Sequence, residues 1–368
     1  MKIGIVTSYA PNQPAGLESF LLGLLGALNT SKKISYVVYT KKGGGLRAVL
    51  QKHRITRISV VEVGFGKFWK DIGLFFQPRM DAYIFHGPMV PLWFAPKNYF
   101  VILHDLAYKY IQTASVREKI KRRVMDFLTL KALQRAKKVI SVSDATKRDL
   151  IRFFGAPPEK IETIYQGFWR VRTEEAAPVH GVKEPFFLFI GTLKERKNVL
   201  SIIRAFAVYK KRNRDNRTLV LAGKHDEASP YVRLLHKEIA KRHIDESVIF
   251  TNHISDAERA YLYMHADALV FPSLIEGFGI PILEAMSCGV PVLTSNAGAL
   301  AEVAGDAALL VDPKSVDDIA RGMEAMVSRN DLREACIRKG MERIRLFDWS
   351  NTARALEGLI INTSEYAF

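Results

Sequence analysis

Two glutamates set eight positions apart, Glu276 and Glu284, frame a glycine-bearing loop in the segment FPSLIEGFGIPILEAMSCGVPVLTSN, residues 271–296. Gly277 and Gly279 precede Pro281, a residue suited to the first position of a helix. Glycines ahead of a helix let backbone N–H groups approach an anion, and the helix dipole favours a diphosphate there. On this reading Glu284 falls in the first turn, where a carboxylate can accept hydrogen bonds from two vicinal hydroxyls, as a ribose presents. Taken alone, the segment is equally an acid-capped helix start. A second cluster lies in FIGTLKERKNVLSIIRAF, residues 189–206: a strand leaves through Gly191 and Thr192, and Arg196 and Lys197 stand before a helix that opens at Asn198. Two cations beside a helix start complete an anion site, and neutralising a departing diphosphate makes it a better leaving group. A solvated basic turn is the alternative. In YFVILHDLAYKY, residues 99–110, a strand ends at His104 and Asp105; a histidine so placed is either structural or turned to a ligand. Gly16, at the start of the first helix, can bring a backbone N–H to a phosphate, and Glu18 reads as a first-turn helix acid. No D-x-D pair and no His/Cys cluster of zinc spacing occurs, so cationic side chains are expected to do what a divalent ion does elsewhere.

The elements that must position these residues are short apolar runs alternating with helical patterns. In the first half the runs are Ile3–Ser8, Ser35–Tyr39, Ser59–Val63, Ala82–His86, Phe100–His104, Val139–Ser143 and Ile161–Tyr165. In the second half they are Phe186–Gly191, Thr218–Gly223, Val248–Thr251, Ala268–Pro272, Val290–Ser295 and Ala308–Val311. Runs of this kind, bounded by Gly, Pro and polar residues with helices between, predict parallel sheets covered on both faces. With 368 residues the chain exceeds the roughly 250–300 at which one core splits. The expected fold class is therefore α/β with two doubly wound, Rossmann-like domains: residues 1–168, a polar linker over 169–184, and residues 185–348. A tail helix is expected over Ser350–Ile361, capped by Ser350. In such sheets ligands bind beyond the carboxyl ends of the strands, and with two domains the default site is a cleft between them.

Composition narrows the class further. Hydrophobic residues make up 48% and charged residues 25%, which excludes a disordered chain. Two cysteines, Cys288 and Cys336, make no disulfide framework. The apolar N-terminal run is too short for a signal peptide, and no stretch approaches the length of a spanning helix. A cytoplasmic protein, or one peripheral to the cytoplasmic membrane, is expected. The net charge of +16 is lopsided: residues 1–180 hold 29 Lys/Arg against 13 Asp/Glu, and the remainder holds 25 of each. A basic half suggests an anionic partner. The run Arg117–Arg123 and the aromatic stretch FGKFWKDIGLFF, residues 65–76, together could dock on anionic lipid; a solvated helix face and a core helix are the alternatives.

The segment FPS…EGFG.P.LEAM.CG.PV resembles the E-x7-E signature of retaining glycosyltransferases of the GT-B fold, those of family four. The resemblance implies that Glu276 lies against the donor sugar and Glu284 holds the nucleotide ribose. It implies that amides of Gly277, Phe278, Gly279 and Ile280 meet sugar hydroxyls and the diphosphate. Lys197 matches the donor-phosphate lysine. Many members carry an arginine directly after the glycine, where this chain has Thr192, and Arg196 is the candidate to supply it. His104 matches the histidine of an HDL segment that faces the donor sugar, while Asp105 orients the loop. Where the family usually shows Gly-Gly before the first helix, this chain has Ala15-Gly16. The stretch VIFTNHISDAERAYLYMHADALVFPS resembles the one that approaches the nucleobase in that family, which implies a base contact near Asn252, His253 and Ile254. The tail helix resembles one that crosses back to the first domain. Resemblance covers nearly the whole chain and is densest from Pro185 to Pro313.

The implied activity is metal-independent transfer of a hexose, with retention, from a nucleoside-diphosphate sugar to a glycan or lipid-linked acceptor in surface polysaccharide assembly. No cofactor is expected beyond that donor. The variants SN.GAL.EV.GDAALLVDP and GTL..RKN lean toward mannosyl and rhamnosyl members, hence GDP-mannose, with UDP- and dTDP-sugars still open. A nucleotide-sugar epimerase or phosphorylase of the same fold is a rival. A basic nucleic-acid-binding protein is another, although no recognised nucleic-acid module accompanies the charge, so no nucleic-acid partner is expected.

Overall fold

The computed structural model describes residues 1–9, 15–92, 95–111 and 115–365, without the side chains of 15, 364 and 365. The chain divides into two units: residues 1–168 with 347–368, and residues 169–346. The first holds β1 (Lys2–Val6), α1 (Ala15–Leu28), β2 (Ser35–Lys41), α2 (Leu46–Lys52), β3 (Ser59–Val63), β4 (Ala82–His86), β5 (Tyr99–Leu103), α3 (Val116–Arg135), β6 (Lys138–Ser141), α4 (Asp144–Phe154) and β7 (Ile161–Thr163). The second holds β8 (Phe186–Ile190), α5 (Val199–Asn213), β9 (Thr218–Ala222), α6 (Pro230–Lys241), β10 (Val248–Asn252), α7 (Asp256–His265), β11 (Ala268–Phe271), α8 (Ile280–Ser287), β12 (Val292–Ser295), α9 (Gly298–Ala304), β13 (Leu309–Val311), α10 (Val316–Ser328) and α11 (Asn330–Arg343). A last helix, α12 (Trp349–Glu365), returns to the first unit. The stretch 169–184, read from its polarity as a linker, groups with the second unit, where the Ala177 amide donates to the Ala257 carbonyl at 3.1 Å.

Each unit is a parallel sheet. The first runs β3-β2-β1-β4-β5-β6-β7 and the second β10-β9-β8-β11-β12-β13. Both orders reverse once, between β1 and β4 and between β8 and β11, and these reversals are the switch points where a crevice opens at the carboxyl ends. The strands read as continuous apolar runs because helices cover both faces: Phe186, Phe187, Leu188 and Phe189 of β8 are all fully buried. Helix starts are written locally. Ser143, Ser255 and Ser315 accept hydrogen bonds from amides in the first turns of α4, α7 and α10, and Ser255 with Glu258 completes a capping box.

α12 is part of the first core. Its Trp349, Ala353, Leu356 and Ile360 are buried with Phe20, Leu24 and Leu25 of α1. Trp349 lies so close over Gly23 that a Cβ there would stand 2.0 Å from the indole. Tyr36 donates to Glu357 at 2.8 Å, and Thr352 donates to the Tyr165 carbonyl at 2.8 Å. The expected Ser350 cap is corrected. The helix begins at Trp349, and Ser350 uses its own amide to donate to Asp348 Oδ1 at 2.8 Å, so the aspartate supplies the cap. Among the described residues no helix is long and apolar enough to cross a membrane.

Candidate active site

In the second unit the switch point is occupied by a charge cluster. After β8 the chain turns through Gly191, whose φ of 147° is open to glycine, and makes a 3-10 turn over Glu195–Lys197. Asn198 then adopts a left-handed conformation with φ of 62°. Its side-chain amide donates to the carbonyls of Pro272 at 3.0 Å and Pro313 at 2.6 Å, which ties this turn to the exits of β11 and β13. The result fixes Lys197, only 8% exposed, over the ring of Phe271 at 4.8 Å. Lys197 pairs with one oxygen of Glu276, and Arg196 donates to the other at 2.9 Å and to the Ile275 carbonyl at 3.2 Å. Two residues from the β8 loop and one from the β11 loop are therefore brought together: Arg196, Lys197 and Glu276.

The loop Gly277, Phe278, Gly279 leads into α8. Gly279 has φ of 127°, and a Cβ on it would meet Leu300 at 2.9 Å, so the position requires glycine twice over. Because α8 begins at Ile280, Glu284 is its fifth residue and lies beyond the first turn; the first-turn placement expected from Pro281 is corrected. Glu284 is buried. Tyr263 donates to it at 2.8 Å and Arg259 at 3.2 Å, both from α7. Burial pushes its carboxyl above the ordinary range against the opposing pull of Arg259. Asn252 ends β10 and His253 and Ile254 follow it; β10 is the edge strand, with β9 between it and β8. Asn252, at φ of 58°, accepts from the Gly223 amide through its carbonyl at 3.0 Å, and Thr192 is exposed at the β8 exit.

In the first unit the switch point carries neutral groups. His104 directly follows β5, and its Nε2 lies 2.7 Å from Nε2 of His86, the last residue of β4. His86 Nδ1 in turn lies 3.3 Å from the hydroxyl of Thr7, the residue after β1. Phe20 of α1 stacks on the His86 ring at 5.3 Å and meets the His104 ring edge-on at 4.5 Å. Burial lowers the His104 imidazole to about 4 and holds His86 well below the ordinary histidine value, helped there by His104 and by Lys70. Asp105 accepts from the Ala107 amide at 3.0 Å, the local loop-holding part expected of it. Gly16 is exposed as the second residue of α1, so its amide is among those with no partner inside the helix. Residues 10–14, the rest of that motif's loop, lie outside the described residues. Sequence reasoning missed His86, Asn198, Tyr263 and Arg259. His86 closes an otherwise apolar run, and that polar strand end was the available signal.

A two-sheet α/β protein with an anion-type cluster at one switch point belongs among the GT-B glycosyltransferases by fold. Residues 15–168 match Glycosyltransferase Family 4, and residues 171–343 match Glycosyl transferases group 1. The chain is 30% identical over 278 residues to O-antigen chain mannosyltransferase B of Escherichia coli, spanning 73% of this chain and 71% of that one. It is 26% identical over 301 residues to the serotype-specific mannosyltransferase WbdA of Escherichia coli, spanning 77% of this chain but 36% of that longer protein. The fold matches Anabaena Alr3699/HepE, solved with UDP and glucose, with a TM-score of 0.73 at 19% identity, over 98% of this chain and 100% of that one. The protein is a member of the group 1, family 4 glycosyltransferases, a GT-B enzyme that transfers sugar.

Proposed function

We propose that this enzyme moves a hexose, of the mannose type, from a nucleoside-diphosphate sugar to a glycan or lipid-linked acceptor in surface polysaccharide assembly, with retention and without a metal ion. The observation that carries the reading is the Arg196–Lys197–Glu276 cluster. Two cations at a strand exit suit a diphosphate, and Arg196 fills the electrostatic part that Thr192 cannot. Glu284, held by Tyr263 and Arg259, is assigned the ribose, the amides of Gly277–Ile280 the diphosphate and sugar, and Asn252–Ile254 the base. Gly16 is assigned to the diphosphate and His104 to the sugar. In the reaction the anomeric C–O bond to the diphosphate breaks, the acceptor oxygen bonds the same carbon from the same face, and the acceptor proton passes to the departing phosphate oxygen. Glu276 positions the sugar and steadies positive charge; it forms no covalent bond. GDP-mannose is the favoured donor because the O-antigen relative is a mannosyltransferase.

A thermal-shift panel of GDP, UDP, dTDP and their sugars tests this, since a ligand that binds the folded state raises the melting temperature by mass action. GDP and GDP-mannose are expected to give the largest rise. A flat panel refutes the reading.

The acceptor side of the proposal is peripheral docking on the cytoplasmic face of an anionic membrane. Val116, Ile120, Val124 and Phe127 recur at helical spacing along α3 and are 49% to 71% exposed. Exposed Arg117, Lys119, Lys121 and Arg123 flank that stripe. An apolar stripe between cations is the pattern of a helix lying in a lipid interface. Phe65, Phe68, Phe75 and Phe76 add a second exposed apolar surface in the same unit. Sedimentation with anionic vesicles, lost at high salt and absent with neutral vesicles, is the expected outcome; equal binding to both refutes docking through charge.

A further inference from the structure

Thr7, His86 and His104 stand at the carboxyl ends of three adjacent strands, β1, β4 and β5, on either side of the first unit's switch point. Parallel register fixes this. Val6 faces Phe85, and His86 faces Ile102, so the three side chains step across the sheet one after another. At 2.7 Å, the two Nε2 atoms of His86 and His104 share a single hydrogen. One ring must donate and the other accept. A neutral ring that accepts at Nε2 carries its proton on Nδ1, and a neutral ring that donates there has a bare Nδ1. The state of His104 Nδ1 is therefore tied to the state of His86. The Thr7 hydroxyl at the far end can donate or accept, so it satisfies His86 in either arrangement.

We propose that His86 is a positioning residue for His104: it occupies His104 Nε2, selects the ring tautomer, and leaves Nδ1 as the atom that meets a substrate hydroxyl. Phe20 holds the pair from the α1 side, stacked on one ring and edge-on to the other. Lys70 stands on the turn after β3, its ammonium donating to the Met89 carbonyl at 3.3 Å, and places a positive charge near His86. Burial and that charge both keep the pair neutral, so it acts through hydrogen bonds and not as an imidazolium. With Nε2 engaged by His86, Nδ1 of His104 keeps one defined role, donor or acceptor, toward a hydroxyl, which can itself do either. The inference rests on the proposed sugar-transfer reading only in what His104 touches; the coupling between the rings stands without it.

The test is long-range proton–nitrogen spectroscopy of the full chain labelled with nitrogen-15 histidine, with no sugar nucleotide present. In the wild type His104 is expected to show one pyrrole-type and one pyridine-type nitrogen. His86→Phe keeps the ring volume and removes the bond, and both His104 nitrogens are expected to move toward an averaged position. His86→Gln, whose amide reaches the same Nε2, is expected to restore separated signals. Thr7→Val works from the far end and is expected to shift His86 and, through it, His104. Unchanged His104 nitrogens in the Phe and Val variants, or equal disturbance by Phe and Gln, would overturn the proposal. Failure to bind any nucleoside diphosphate would instead strike at the transfer reading and leave these spectra unaffected.

Discussion

The two cations assigned to the diphosphate are both paired with Glu276. Its carboxylate is 9% exposed, and Lys197 and Arg196 each hold one of its oxygens. A diphosphate entering this site must draw at least one cation away. A charge-assisted hydrogen bond contributes about 1.5–3 kcal/mol net, so the exchange opposes binding by an amount of that order. Glu276→Gln keeps the shape and removes the charge. The cations then lose a competing anion, and the incoming phosphates lose a nearby negative neighbour. Free GDP or UDP, which has no sugar for Glu276 to grip, should bind the variant about tenfold more tightly, corresponding to ~1.4 kcal/mol. The unliganded variant should melt lower, because Lys197 keeps only a neutral partner in a buried place. Turnover should fall by about two orders of magnitude or more, since the sugar-positioning charge is gone. Isothermal titration with nucleoside diphosphate, set beside initial rates, reads both quantities. If diphosphate affinity falls in step with turnover, Glu276 is not the resident anion of this site and the reasoning is refuted.

Lys197→Met should weaken nucleoside-diphosphate binding by about 10- to 100-fold by removing one charge-assisted contact, measured by the same titration. His104 has a folded pKa of about 4 against an ordinary 6.5. Its contribution to stability is present above pH 6.5 and is lost as pH falls toward 4, with an upper limit of roughly 3 kcal/mol. Urea midpoints at pH 7 and pH 5 should therefore differ less in His104→Asn than in the wild type. Gly23→Ala drives a methyl into Trp349 and should destabilise the first unit by about 1–3 kcal/mol or more, seen as a lower melting temperature. Ile120→Asp with Phe127→Asp should abolish sedimentation with anionic vesicles while leaving nucleotide binding intact.

The thirteen strands among the described residues were legible in the sequence to within a residue or two, because most are short apolar runs buried between helices. What escaped was set by distance in the chain. Tyr263 and Arg259 reach Glu284 from 21 and 25 residues away, across a helix contact that no local pattern announces. His86 acquires its meaning only when β4 is laid beside β5, since the run Ala82–His86 by itself shows no partner 18 residues on. The first-turn placement of Glu284 failed for a local reason: Pro281 fits the second helical position as well as the first, and Gly279 at φ of 127° let the helix begin one residue earlier. The α3 stripe, at 116, 120, 124 and 127, has helical spacing, but the basic run threaded through it breaks up the apolar pattern in the linear sequence.

The two switch points share one construction principle with opposite electrical content. Each sheet brings residues from neighbouring strand exits or their loops to its reversal: two exits in the second unit, three in the first. In the second unit they are charged and mutually neutralised, Arg196 and Lys197 against Glu276. In the first they are Thr7, His86 and His104, kept neutral by burial. An ion-paired site can trade its internal anion for an external one without leaving a buried charge unmatched. A neutral site can meet hydroxyls without attracting phosphate. The division is one of electrical content, and it predicts an asymmetry. Raising ionic strength should weaken nucleoside-diphosphate binding, whereas the tautomer coupling of His86 and His104 should not respond to salt. Salt sensitivity in the His104 nitrogen signals would show that a mobile charge governs the first site, and the division would then be wrong.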